Sequence, residues 1–400
     1  MSAPPSSTYQ YEEGVEVLEG YEPGGYHPTH IGDRHLDGRY EIVHKLGHGG
    51  YSTVWLTRDH KLSRYVALKI LVASSSEDCS ESKILRILAA GNADHPGRNE
   101  VAGCSIADSK EASITCMFPA DVARAISAQL LLGLDYIHSC GVVHGDLHLN
   151  NILFASSSLD TMTIEELYQR VGVPQRLPVQ RLDQAPNGPE VPQYSVPPAI
   201  IAKSSEHILD ARILISDFGE SFTLNDKHED LHTPILLLPP ESVFHEKLGQ
   251  AIDVWILGCT LYEILGERPL FEGFIPDEDH VIAEMISTLG NIPQRWWNQW
   301  EKRTDFFLED GSWKKDTHRI HAPYSRPMTE RLCIMGRGSD PDTCEFSSKE
   351  MSALERLLRA MMTYEPSERI TTSAALRSEW MRDWGRPAMT KVGISLSTEE

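Results

Sequence analysis

Residues 142–154, VVHGDLHLNNILF, place Asp146 and Asn151 five positions apart between two short apolar runs. The runs read as strands and the polar residues between them as a loop. Asp146 offers a carboxylate that can take a proton. Asn151 offers an amide oxygen, a hard donor suited to a divalent cation. Histidine, one spacer, aspartate, four spacers and asparagine form the pattern of a phosphoryl-transfer catalytic loop. Loops of this kind that act on proteins usually carry Arg before the aspartate and Lys two residues after it. Here Gly145 and His148 hold those places, as they do in many loops that act on small molecules. The choice between the two rests on residues elsewhere.

Four hundred residues favour two lobes over one core. With 37 basic and 58 acidic side chains the formal charge is −21. That disfavours direct nucleic-acid or anionic-membrane contact and favours basic partners. Seven cysteines, odd in number and without a C-x-x-C pair, read as reduced thiols of a cytosolic or nuclear protein. The start MSAPPSSTYQ has neither a basic lead nor an apolar stretch, so no secretory signal is expected. No run approaches the ~18 apolar residues of a membrane span, and no internal repeat is visible.

Residues 1–39 read as an extended lead-in rich in Pro, Gly, Glu and Tyr. RYEIVHKLG, STVWLTRD and YVALKILVA then predict three antiparallel strands. SESKILRILAAG predicts a short helix ended by Gly91. DVARAISAQLLLGLDYIHS, apolar at 122, 126, 130, 134 and 137, predicts a helix running into the opening loop. Residues 155–210 read as an insertion with one short helical patch, TIEELYQRVG, and otherwise as a disordered tether. AIDVWILGCTLYEIL is apolar nearly all round and predicts a buried helix. SALERLLRAMM and TTSAALRSEWM predict amphipathic helices. The expected organisation is a lead-in (1–39), a β-rich lobe (40–118), a helical lobe (119–385) and a tail (386–400).

Five polar features then follow in order. Gly47 and Gly49 in LGHGGYSTV let backbone approach phosphates closely. Lys69 ends a strand after that hairpin, and Glu81 heads the next helix, where it is placed to aim a lysine. Asp146 and Asn151 come next, and Asp217 in SDFG follows a further strand. Taken singly, each has an ordinary structural reading: a hairpin turn, a surface lysine, an exposed helix charge. In this order they are the parts of a protein kinase site.

The chain resembles a eukaryotic protein kinase, and more narrowly the SR-protein kinase family in a divergent fungal form, over about residues 20–385. The resemblance is carried by YEPGGYHPTHIGD, KLGHGGYSTVWL, VALKI, LLGLDYIHSCGVVHGDLH, the insertion before DFG, and IDVWILGCTLYEIL. Small-molecule kinases of the aminoglycoside type lack the segment LPPESVF (Pro239, Pro240, Glu241). They also lack the helix with Asp253, Trp255 and Gly258, and the Arg369 that pairs with that glutamate. The resemblance implies an α+β, two-lobed kinase-like fold and a serine/threonine protein kinase using ATP and Mg²⁺. Asp146 would be the catalytic base, with Lys69 and Glu81 also catalytic. Leu46, Gly47, His48, Gly49, Val54, Ala67 and Lys69 would bind the nucleotide. Asn151 and Asp217 would hold the metal. It implies basic Ser/Arg-rich protein substrates, a monomer, and a place in cytoplasm and nucleus. With Gly145 in the arginine position and 21 residues between Gly219 and Glu241, phosphorylation of that loop is not expected to control the chain.

The chain departs from the family between Leu88 and Asp121, where 32 residues stand. Two strands are expected there, from NEVAGCSIAD and EASITCMF. The hinge and the short helix that follow in relatives are expected to be missing, which gives a truncated hinge region. That loss supports an alternative reading as a catalytically impaired pseudokinase or partner-binding scaffold. His148, Leu149 and Leu238 depart from the residues usual in the family.

Overall fold

The computed structural model describes residues 8–75, 80–92, 95, 105–155, 159–199, 204–205, 208, 210–228, 230–273, 275–315, 324–338 and 344–394. In chain order its elements begin with β1 (Arg34–His35), β2 (Tyr40–Gly49), β3 (Ser52–Asp59), β4 (Arg64–Leu71), α1 (Ser80–Ala90), α2 (Ile106–Glu111) and α3 (Ala120–Ser139). Next come β5 (Val142–Val143), β6 (Ile152–Phe154), α4 (Ile164–Val171), β7 (Leu177–Pro178), β8 (Tyr194–Ser195), β9 (Ile213–Ile215) and β10 (Phe222–Thr223). Then follow α5 (Pro240–Val243), α6 (Gln250–Leu265) and further helices, among them Glu278–Leu289, Ser348–Met361 and Arg386–Lys391. The chain folds as two compact units. The first comprises Met1–Cys79, Val101–Gly103 and Ser156–Ile201, and the second Ser80–Glu100, Cys104–Ala155 and Ala202–Glu400. The β-rich part and the larger helical part match the expected fold class.

In the first unit, β1-β2-β3-β4 form an antiparallel sheet in chain order. β3 and β4 pair without a break from Ser52↔Leu71 to Asp59↔Arg64, so Val54, Leu56, Tyr65, Ala67 and Lys69 share one face and Trp55 and Leu68 the other. Within the 155–210 insertion, expected as a tether in the second lobe, residues 159–199 instead belong to the first unit and cover both faces of this sheet. On one face Leu167 of α4 and Leu159 pack with Val43, Leu56 and Tyr65. Thr163 and Glu166 start α4 with a capping box, and the Tyr65 N–H donates to Asp160 at 2.8 Å. On the other face Val196 is buried with Ile42 and Trp55. Proline-rich composition suggested disorder, but the Leu and Val residues between the prolines find strand surface to cover. The lead-in packs as well: Tyr9, Leu18, Tyr21 and Tyr26 are buried with Val72 and Val179.

Neither strand expected between Leu88 and Asp121 is present among the described residues. Residues 96–104 lie outside them. Ser105 caps α2 by accepting from the Asp108 N–H at 3.0 Å. Ile106 is fully buried, and Lys110 donates to the carbonyls of Glu263 and of Gly266, near the C-terminal end of α6. The alternation in EASITCMF fails as a strand because Cys116 has a left-handed φ of +53° and Ile114 points to solvent. So the short helix expected to be missing before α3 is present as α2, and the strands are what the described chain lacks.

In the second unit α3 and α6 are the central helices, buried along almost their whole length. The residues expected as a tail include a helix, Arg386–Lys391, with Ala388 and Met389 buried in the same core. TTSAALRSEWM forms a short turn of helix, Thr372–Ala375, and turns helical again at Glu379, running through Met381–Gly385 into Arg386–Lys391. Glu241 of α5 and Arg369 make a bidentate pair at 2.6 and 2.9 Å with side chains 1% and 0% exposed. The guanidinium also donates to the Ala251 and Thr363 carbonyls.

Breaking that pair on one side strands a charge in the core. Arg369→Leu is expected to cost about 3–5 kcal/mol, read by urea denaturation, and Glu241→Gln combined with Arg369→Leu distinctly less. Equal losses from the single and double variants would show that the carboxylate is not the source of the cost.

Candidate active site

The 142–154 loop is held at both ends by short strand pairs. β6 pairs with β9 through Ile152↔Ile215, and β5 with β10 through Val143↔Phe222. One residue beyond β9, Ser216 donates its N–H (2.8 Å) and its hydroxyl (3.0 Å) to the Asn151 carbonyl. Asp217 is therefore delivered beside Asn151. The Asn151 amide nitrogen donates to Asp146 twice, to the carbonyl at 2.8 Å and to Oδ2 at 3.0 Å. Its other amide atom, the oxygen, is the hard donor of the side chain. Asp146, Asn151 and Asp217 are thus brought together by hydrogen bonds within one unit.

Asp146 Oδ2 carries the contacts, while Oδ1 is buried with no hydrogen-bond partner among the described residues. A carboxylate oxygen left bare in this way retains full capacity to accept a proton or hydrogen bond. His148 lies on the other side of Oδ2, at 3.3 Å through Nε2. Its Nδ1 accepts the Asn150 N–H at 3.2 Å, so the ring proton sits on Nε2 and faces the carboxylate. Asp217 takes a left-handed φ of +59°, a costly conformation for a residue with a Cβ that marks functional backbone. The Gly219 N–H donates to its Oδ1 at 3.2 Å.

The loop backbone is fixed from beneath by α6. Asp253, fully buried, accepts the His144 N–H and the Gly145 N–H, both at 2.8 Å, and His138 Nε2 at 2.8 Å. His144 bridges onward. Its Nε2 donates to the Ser216 carbonyl at 3.1 Å and its Nδ1 accepts the Asp146 N–H at 3.2 Å. Burial lowers the pKa of this imidazole, which agrees with a neutral ring that donates on one side and accepts on the other. Gly145 has φ +83°, and a Cβ there would meet the Glu220 carbonyl at 2.9 Å. The Ser221 hydroxyl, buried, donates to the His144 carbonyl at 2.8 Å.

In the first unit, Gly47↔Val54↔Lys69 are direct cross-strand partners on β2, β3 and β4. Ala67 lies two residues before Lys69 on the same face and is exposed, because α4 covers only the end of that face near Tyr65. Leu46 and Gly47 are half-buried, while His48 and Gly49 are exposed at the hairpin tip. Glu81 stands in the first turn of α1, in the second unit.

Three residues were given no supporting role from the sequence: His144, Ser216 and Ser221, the last read only as a candidate phosphorylation site. His144 was legible as the first residue of the H-x-D pattern. The other two act through hydrogen bonds to backbone carbonyls and leave no spacing signal.

A protein kinase domain model matches residues 199–381. Over 93% of this chain and 92% of its own length, a serine/threonine-protein kinase SRPK of Physarum polycephalum is 28% identical. Protein kinase dsk1 of Schizosaccharomyces pombe is 22% identical over 93% of this chain and 86% of its own. SRSF protein kinase 3 of Homo sapiens is 32% identical over a shorter stretch, 36% of this chain and 30% of its own. With its β-rich and helical parts and the Asp146–Asn151–Asp217 arrangement, the chain is similar to protein kinases, and among them to SRPK-type serine/threonine kinases.

Proposed function

We propose that the chain is an active kinase that transfers the γ-phosphate of ATP to serines in basic, Arg/Ser-rich protein segments. The observation that carries this reading is the bare, buried Oδ1 of Asp146 on a carboxylate whose other oxygen is held by Asn151. Such an oxygen accepts the proton of a substrate hydroxyl, and its anchored partner keeps it aimed. The donor set also fits Mg²⁺: Asn151 spends its amide nitrogen on Asp146, and Asp217 supplies a carboxylate on strained backbone beside it. Asn151 and Asp217 would hold the ion, which when bound neutralises phosphate charge. Lys69, aimed by Glu81, would hold the α- and β-phosphates. Gly47, His48 and Gly49 would cover them, and Leu46, Val54 and Ala67 would take the base. The rest of the work is positioning and charge.

The substrate class rests on the SRPK-type relatives and on the net charge of −21. Substrates of that kind agree with a monomer working in cytoplasm and nucleus. A second reading, a kinase fold that binds partners without turnover, is favoured by one observation: residues 105–118 supply α2 and bends and no long strand. Nucleotide binding separates the two. A folded sample whose melting temperature is unmoved by millimolar ATP and Mg²⁺ sinks the enzyme.

The structure also bears on control. The Ser221 hydroxyl is buried and spent on His144, and Thr223 donates to Asp226 at 2.7 Å. His232 Nδ1 lies 2.9 Å from Glu220, and that carboxylate raises the imidazole's pKa.

Two outcomes are expected. Asp146→Asn lowers phosphorylation of an Arg-Ser peptide about 10²- to 10⁴-fold and leaves the ATP-induced thermal shift in place; retained turnover removes Asp146 as the base. Phosphatase-treated protein and Thr223→Ala both keep turnover within about twofold of the untreated protein, a change ordinary for a surface position. A tenfold loss on phosphatase treatment, restored by rephosphorylation, shows that the loop is a switch after all.

A further inference from the structure

The glycine-rich turn of the first unit does not stand alone. The Tyr26 hydroxyl donates to the Gly49 carbonyl at 2.7 Å, at the tip of the β2–β3 hairpin. The same short segment also reaches the end of β4, the strand that carries Lys69. The Ala73 N–H donates to the Gly25 carbonyl at 3.1 Å and the Ser74 N–H to the Gly24 carbonyl at 2.9 Å. The Val72 N–H closes the circle on the Tyr51 carbonyl at 2.9 Å. One stretch of lead-in thus ties together the turn and the end of the lysine strand.

That stretch is itself anchored. Tyr21 lies against Tyr26, ring centroids 5.5 Å apart, and its hydroxyl donates to Glu16. Glu16 pairs with Lys45, four residues before Gly49 on β2, with both side chains at most 2% exposed. Burial alone would raise the Glu16 carboxyl; the Lys45 ammonium and the Tyr21 hydroxyl overcome it and hold the group ionised. The path of the segment is fixed by glycine. A Cβ on Gly20 would stand 2.7 Å from the Tyr26 ring, and one on Gly25 would stand 2.0 Å from the Gly20 carbonyl. The chain can fold back here only because both side chains are absent.

We propose that residues 14–26 are a positioning brace for the glycine-rich turn, with Tyr26 as the residue that sets the Gly49 carbonyl for nucleotide. The inference rests on the nucleotide reading of that turn, but the brace is a property of the first unit and can be tested apart from it. The lead-in adds a second hold on a turn that its own hairpin holds from one side. Tyr26 is a positioning residue: it acts through the loop backbone.

The test is Tyr26→Phe in the full chain, which keeps the ring and removes one hydrogen bond. Amide exchange at residues 47–51 is expected to quicken about two- to tenfold, the range of one neutral hydrogen bond. The KM for ATP rises by a similar factor, kcat stays within twofold and the melting temperature hardly moves. Gly20→Ala, which drives the ring away from its seat, shifts both readouts in the same direction and further. Unchanged exchange in Tyr26→Phe overturns the brace. Faster exchange with an unchanged KM overturns its role toward nucleotide. If the unaltered protein binds no nucleotide, the function proposed above fails, and exchange alone still decides whether the brace exists.

Discussion

A buried carboxylate on α6 is the constraint from which the rest of the site follows. Asp253 is surrounded by apolar core, where an ion without donors is strongly unfavourable. It takes three donors, two of them backbone N–H groups of His144 and Gly145. This satisfies the charge and at the same time pins the residues just ahead of Asp146. His144 extends the order by one step, since its two ring nitrogens connect the Asp146 N–H to the Ser216 carbonyl. Ser216 then bonds Asn151. A single neutralised charge thus fixes the relative places of three functional side chains that lie up to 71 residues apart in sequence.

The first unit solves a different problem. Among the described residues its sheet has three long strands and a two-residue edge strand, too little to bury its own faces. The insertion and the lead-in make up the cover. Helix α4 lies on the Leu56 and Tyr65 face, and Val196 with Ile31 and Tyr194 on the Trp55 face. The two coverings also meet each other, with the Gln10 N–H on the Gln180 carbonyl and the Leu182 N–H on the Thr8 carbonyl. A segment that looks dispensable by composition is therefore structural. Coverage by α4 stops short of Ala67, which stays exposed at the Lys69 end of that face.

The long strands, α3 and α6 were legible because each carries a periodicity its environment demands: alternation for a half-covered sheet, apolar residues all round for a helix in the middle of the core. Asp146, Asn151 and Asp217 were legible because loop chemistry leaves a rigid spacing. What misled was composition and short-range alternation. EASITCMF alternates over eight residues, yet a left-handed Cys116 and the docking of Ile106 and Lys110 on the helical unit override it. In the insertion only TIEELYQRVG carries a helix period, at Ile164, Leu167, Tyr168 and Val171, and it forms α4; Leu159, Val179 and Val196 have no such period, and their burial depends on a partner surface far away in sequence. Tyr26 was invisible for the same reason: its significance lies in one hydrogen bond to a backbone carbonyl 23 residues ahead.

The geometry around Gly145 joins the clamp to the question of control. An arginine at that position would have to carry a Cβ at φ +83°, 2.9 Å from the Glu220 carbonyl, before its guanidinium could meet a phosphate. Glycine accepts that backbone without strain, so the clamp on Asp253 is formed without a side chain at position 145. The remaining links across the segment are unmodified: Ser221 on His144, His232 on Glu220, Phe222 paired with Val143 and stacked on His228 at 4.3 Å. Each forms from the side chains as synthesised. A segment ordered by its own hydrogen bonds and ring contacts gains little from an added phosphate, and a phosphate on Ser221 would have to displace the hydroxyl that supports the loop beside Asp146. Gly145 therefore agrees with a segment whose contacts to the loop beside Asp146 form without a phosphate.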